Sequence, residues 1–197
     1  DARPFRRKED AAQYPVQLEL GLRNGVHLPA GLNPGHHVGM LLSRLALPGS
    51  GQPDFDALPT PFRCTAVDLV SSQPVVFERG SLATALRATM AIPGIFDPVR
   101  GAGTVLVDGG VLDNVPAGVA RRMGADVVVA VNVLRVEPGA APEDLLGLAE
   151  RSIDVMTETL AQASLAQADR VLEPDLHGFS GQEFDAVEVL AARGYAA

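Results

Sequence analysis

The acid with the most distinctive surroundings is Asp108, which follows the short apolar run Thr104–Val107 and precedes Gly109 and Gly110. A carboxylate delivered by a strand end, beside two residues without side chains, can be approached closely by a reacting group and serve as a proton acceptor. The same Asp-Gly pair also suits a tight hairpin turn, because both residues tolerate positive φ. On these residues alone the turn is the commoner use. Other chemistries find less support. His27, His36, His37 and His177 fit neither a catalytic triad nor a metal-binding spacing and read as structural or solvent-exposed. Asp113 and Asn114 near Asp108 lack the ordered oxygen ligands of a calcium loop and are expected to act in a cap or turn. No metal or cofactor is implied.

Each of these residues must be positioned by an element. The spacing of Val38, Leu41, Leu42 and Leu45 predicts a helix over 37–47, stopped by Pro48 and Gly49. Residues 50–61 read as a loop. Phe62–Leu69 and Pro74–Glu78 read as two strands of a hairpin, and Ser81 as the cap of a helix over 82–90 that Pro93-Gly94 ends. A strand then delivers Asp108. Asn114 and Pro116 mark the start of a further helix, with Gly124 its stop. The valine-rich run Asp126–Val133 suits a parallel strand covered on both faces. Pro142, Glu143 and Asp144 open the longest helix, whose stripe of Leu145, Leu148, Ala149, Ile153, Met156 and Leu160 is expected to face the core. Val171-Leu172 reads as a last short strand, and residues 184–194 as a closing helix with Val187, Leu190 and Ala191 inward.

Composition narrows the function classes. The 197 residues suit one domain, and 47% hydrophobic with 20% charged residues excludes a disordered chain. The formal net charge of −8 argues against a nucleic-acid partner, whose phosphates are met by lysine and arginine. A short basic cluster, Arg3, Arg6, Arg7 and Lys8, could touch an anionic membrane surface, although Glu9 and Asp10 follow at once. Cys64 is the only cysteine, so no intrachain disulfide can form, and its strand-like setting makes it a small buried hydrophobe. No apolar run is long enough to span a membrane. Glycine-rich phosphate loops of GxGxxG or GxxxxGK[ST] form are absent from the sequence, which argues against a nucleotide-binding protein.

Several motifs occur in a fixed order: Leu86-Arg87-Ala88-Thr89-Met90-Ala91-Ile92-Pro93-Gly94-Ile95-Phe96, then Asp97-Pro98-Val99, then Asp108-Gly109-Gly110, then Asn114 and Pro116. This series resembles the patatin-like phospholipases, lipid acyl hydrolases that use a Ser-Asp dyad. The likeness runs from the FRCTAVDLV segment through the VVVAVNV strand, and more weakly to the PDL and GY segments near the end. It implies a three-layer α/β/α domain with a central, mostly parallel sheet. It further implies that Asp108 is the proton acceptor and that Gly109, Gly110, Asn114 and Pro116 shape its loop. Ile92, Ile95 and Phe96 become candidates for the lining of an acyl channel. The implied partner is a lipid or acyl ester.

One departure from the family pattern is large. The nucleophilic serine of the family lies in a GxSxG turn, preceded by a glycine-rich loop that binds the oxyanion. Neither occurs in these residues. Ser50, in Pro48-Gly49-Ser50-Gly51-Gln52, and Ser180, in Gly178-Phe179-Ser180-Gly181-Gln182, have glycines at other offsets and read as loop serines. The expectation is that the chain is the later part of a single patatin-like domain, incomplete on its N-terminal side and inactive by itself. A relative that keeps the fold without the nucleophile, as a lipid-binding or interaction module, is the alternative. Oligomeric state and compartment are left open.

Overall fold

A computed structural model of the chain describes residues 31–33, 35–134, 142–179 and 184–197. The basic cluster near the N-terminus, His27 and Ser180 lie outside them. The chain divides into two compact units, Asp1–Gly109 and Gly110–Ala197.

In the first unit four strands form one sheet in the order β3-β2-β6-β5. They are β2 (Cys64–Asp68), β3 (Gln73–Phe77), β5 (Val99–Gly101) and β6 (Thr104–Asp108). Every neighbouring pair is antiparallel. Short connections impose this: β2 and β3 are joined by a tight turn, and β5 and β6 by Ala102-Gly103, with Gly103 at φ 85°. A separate ladder pairs β1 (Gly31–Asn33) in parallel with β4 (Gly94–Phe96). The α/β class is as expected. Parallel pairing, however, is confined among the described residues to two-stranded ladders, because only there does a long crossover separate the partners.

Helix α1 (His36–Leu45) packs on α2 (Leu82–Thr89), and α2 packs on β2 and β6. Ser81 caps α2 as its sequence predicts, its Oγ accepting from the Thr84 amide at 3.2 Å. The core between helix and sheet consists of small residues, Ala66, Val67, Ala85, Ala88, Ala91 and Val107, all nearly inaccessible. Small side chains let the α2 backbone lie close to the strand that carries Asp108. The segment expected as a plain loop contributes a fully buried Phe55 in the turn Phe55–Ala57, against Phe62.

Asp68 at the end of β2 holds this sheet together. Its buried carboxylate accepts from the Val105 amide at 3.0 Å, the Ser71 hydroxyl at 2.7 Å, and the amides of Val70 and Ser71. It thereby closes the β2–β3 turn, where Ser72 adopts a left-handed φ of 57°, and fixes the start of β6 on β2. The Val105 bond, followed by that from Ser71, lowers the Asp68 pKa from 3.8 to about 2.

The second unit contains α3 (Ala117–Arg122), β7 (Val129–Val131), α4 (Leu145–Leu165), β8 (Arg170–Leu172) and α5 (Val187–Ala196). The crossover through α4 makes β7 and β8 parallel. Asp144 caps α4 through the Gly147 amide at 2.8 Å. Asp169 accepts from the Val128 amide at 2.7 Å and from Arg121 at 2.5 Å, tying α3 to the ends of β7 and β8.

Three burial expectations are corrected in this unit. Val127, Val129, Val131 and Val133 are half or more exposed, so the valine run is covered on one face only, the one with Val128 and Ala130. On α4 the buried residues are Thr157, Ala161, Ser164 and Leu165, whereas the stripe from Leu145 to Leu160 faces outward. α5 buries no residue, and Val187 is exposed.

Because the folded-state pKa of Asp68 lies below its ordinary value, its contribution to stability is complete above about pH 3.8 and disappears as pH falls through about 2. The variant Asp68→Asn should be less stable than wild type at neutral pH. The gap should narrow over that acid range in urea unfolding at stepped pH, and a constant gap would contradict the role given to this carboxylate.

Candidate active site

Asp108 is the last residue of β6, opposite Ala66 of β2. Its backbone amide donates to the carbonyl of Ala91 at 3.0 Å, joining the strand end to the loop that leaves α2. The side chain belongs to a partly buried residue, neither in bulk water nor sealed in the core. Gly109 is buried and begins the turn Gly109–Val111. An added Cβ there would stand 2.7 Å from the Thr65 backbone carbonyl carbon, which has nowhere to move within β2. Neither Gly109 nor Gly110 has a positive φ. The glycine after Asp108 is thus demanded by a close backbone approach, and the Asp-Gly pair is not the hairpin turn that its composition also allows.

The loop after α2 is itself tightly wound. The Ile92 carbonyl accepts from the amides of both Ile95 and Phe96, at 3.1 and 3.0 Å, and Gly94 takes φ 84° to permit the turn. Ile92 and Ile95 remain about 40% exposed although bulky and apolar. Phe96 instead lies under the Arg87 guanidinium, 5.7 Å from carbon to ring centroid. Arg87 Nη2 donates to the Asp97 carbonyl at 2.8 Å. At Gly35, with φ 71°, a Cβ would come within 2.8 Å of the same guanidinium. Arg87 therefore binds the loop carrying Ile92, Ile95 and Phe96 to the helix that precedes it.

In the second unit, Pro116 itself occupies the cap position of α3 and no side chain caps that helix. Asn114 is exposed in the bend before it. Of the cap or turn role expected of Asp113 and Asn114, the cap is not seen and the bend at Asn114 is, while Asp113 Oδ1 is buried without a hydrogen-bond partner. The exposed His36, His37 and His177 stand apart from Asp108 in sequence, and no group of three or more potential metal ligands forms among the described residues. Ser50 is exposed, its hydroxyl donating to the Leu47 carbonyl at 2.8 Å in a turn. Cys64 is partly buried, and burial pushes its thiol up to about 11, which keeps it protonated and unreactive near neutrality.

Sequence reasoning brought out Asp108 and Gly109 but passed over Asp68 and Arg87. A signal existed for Asp68, an acid at a strand end followed by Ser71 and Ser72, the composition of a side-chain-closed turn. Arg87 stood only as one residue of the ordered motif series, because a single arginine on a helix gives no hint of the carbonyl it meets.

The family model for patatin-like phospholipases matches residues 9–121, which include β6, the loop after α2 and the whole Asp108-Gly109-Gly110 segment. The chain belongs to the patatin-like phospholipase family. An uncharacterised NTE family protein of Mycobacterium tuberculosis is 40% identical to this patatin-like chain over 86 residues, covering 44% of the chain and 24% of the relative. A second such protein of the same organism is 26% identical over 162 residues, or 70% of the chain and 28% of the relative. A lysophospholipase of Meyerozyma guilliermondii is 32% identical over 74 residues, 38% of the chain and 5% of the relative. The patatin-like chain thus spans less than a third of the length of these relatives. At family level this is the setting of a lipid hydrolase.

Overpacking at a backbone contact costs about 1–3 kcal/mol, so Gly109→Ala should lower unfolding free energy by that amount in urea titration. A stability loss within error would show that Thr65 does not constrain this turn.

Proposed function

We propose that the protein of which these residues form a part is a serine-type lipid acyl hydrolase in which Asp108 is the proton acceptor. The observation that carries this reading is the position of Asp108: a partly buried carboxylate at a strand end whose backbone is fixed by Ala91 and whose following residue must be glycine. The nucleophile is assigned to a GxSxG turn outside residues 1–197, since Ser50 and Ser180 have glycines at other offsets.

An unassisted serine hydroxyl is a poor nucleophile, so its proton must leave as the Oγ–C bond forms. Asp108 takes that proton. The carbonyl oxygen becomes an oxyanion, held by backbone donors of the glycine-rich loop in the same outside segment. Collapse of the tetrahedral intermediate breaks the ester C–O bond, and the protonated Asp108 returns its proton to the departing alcohol. Asp108 then deprotonates water, which attacks the acyl-enzyme, releases the fatty acid and restores the serine. Ile92 and Ile95, half-exposed on the loop bonded to the Asp108 backbone, are suited to contact the acyl chain, while Phe96 supports the loop from beneath Arg87. Gly110, Asn114 and Pro116 are assigned, by the resemblance, to the segment that follows Asp108 in sequence.

Full-length protein treated with a fluorophosphonate probe should label on one serine, and Asp108→Asn should slow labelling and ester turnover by about 10²- to 10⁴-fold. Absence of labelling in a folded wild-type protein would leave the non-catalytic lipid-binding module as the correct reading. A second test concerns chain length. Ile92→Ala should reduce kcat/KM roughly tenfold for long-chain esters and leave short-chain esters unaffected; equal losses on both would remove these residues from the acyl site.

A further inference from the structure

The outer face of α1 combines exposed apolar residues with a cation. Val38, Gly39 and Leu42 are the less exposed positions of the helix, which packs on α2, and Ala46 just beyond it is buried. On the opposite side Met40, Leu41 and Leu45 are 62, 55 and 64% exposed, and Leu47 in the following turn is 64% exposed. His37, Leu41 and Leu45 follow one another at four-residue spacing, as do Met40 and Arg44, so all five share one face. Arg44 is exposed and forms no ion pair among the described residues. Moreover, residues 35–53, which carry α1 and the turn after it, contain no aspartate or glutamate, although the chain as a whole carries a net charge of −8.

We infer that the outer face of α1, with Leu47, docks this domain onto an anionic phospholipid surface. Apolar side chains of a surface helix enter the boundary between headgroups and acyl chains, and a cation on the same face meets the lipid phosphates. Local absence of acidic residues is what such a surface requires of an otherwise acidic protein. A second copy of the chain fits less well, since a self-paired α1 would set Arg44 and His37 of one copy against the like-charged or neutral groups of the other. The inference rests on the lipid-ester reading for its biological sense, because α1 packs on the helix whose following loop is bonded to Asp108, so docking would bring that site to a lipid surface. Its physical test is separate.

The test uses full-length protein and sedimentation with vesicles of phosphatidylcholine, with and without phosphatidylglycerol. Leu41→Gln/Leu45→Gln should reduce partitioning at least tenfold on the phosphatidylglycerol vesicles. Arg44→Gln should abolish the preference for them over phosphatidylcholine alone. Both variants should keep the wild-type unfolding midpoint and turnover of a soluble short-chain ester, and Asp108→Asn should partition as wild type does. Unchanged partitioning of the leucine variant overturns the inference. So does conversion of a wild-type dimer to monomer without loss of partitioning, which would make the face a subunit interface, or a large fall in midpoint, which would show that another part of the protein covers it. Failure of the serine to label would remove the catalytic reading and leave the partitioning result standing.

Discussion

The hydrogen bond from the Asp108 amide to the Ala91 carbonyl, at 3.0 Å, holds together everything proposed for this site. A strand end is ordinarily free to fray, and a carboxylate at such an end would sample many positions. Here the bond fixes Asp108 to a buried alanine at the foot of α2, and the next residue is pressed against the backbone of β2 so closely that only glycine fits. A proton acceptor is effective only when it stands in a defined place relative to the hydroxyl it serves. Backbone constraints on both sides of one residue provide that placement from the main chain.

Within each unit, carboxylates and cations are used in a common way. Asp68 in the first unit and Asp169 in the second each accept a backbone amide at a strand end, Val105 in one case and Val128 in the other, and in each the bond draws the pKa below the ordinary carboxylate value. Arg87 and Arg121 supply the complementary half by donating to backbone carbonyls that the strands and helices leave unpaired. Charged side chains in this protein are thus used to close turns and splice elements, a role that calls for fixed geometry more than for large interaction energy.

How far the sequence reveals these features depends on the range of the interaction. The cap at Ser81, the β2–β3 hairpin, the short strand at Val171-Leu172 and the strand delivering Asp108 are local in origin, and the residues alone locate them. Burial is not local. The stripe from Leu145 to Leu160 has the periodicity of a core-facing helix, yet α4 packs through Thr157, Ala161, Ser164 and Leu165. Periodicity reports that a face is apolar, and not which surface it meets. The buried positions of α4 are thus mostly small or polar residues, which the apolar periodicity does not mark. For the candidate site, Asp108 and its glycines were legible as an acid beside two side-chain-free residues. The reason for the first glycine, the Thr65 backbone distant in sequence, was not.

A crystal structure of the full-length protein after phosphonylation would test the central assignment most directly. The account predicts a phosphonate bonded to a serine Oγ, with an Asp108 carboxylate oxygen within about 3 Å of that oxygen and the Asp108 amide still bonded to Ala91. A phosphonylated serine remote from Asp108, or activated by a histidine instead, would contradict it.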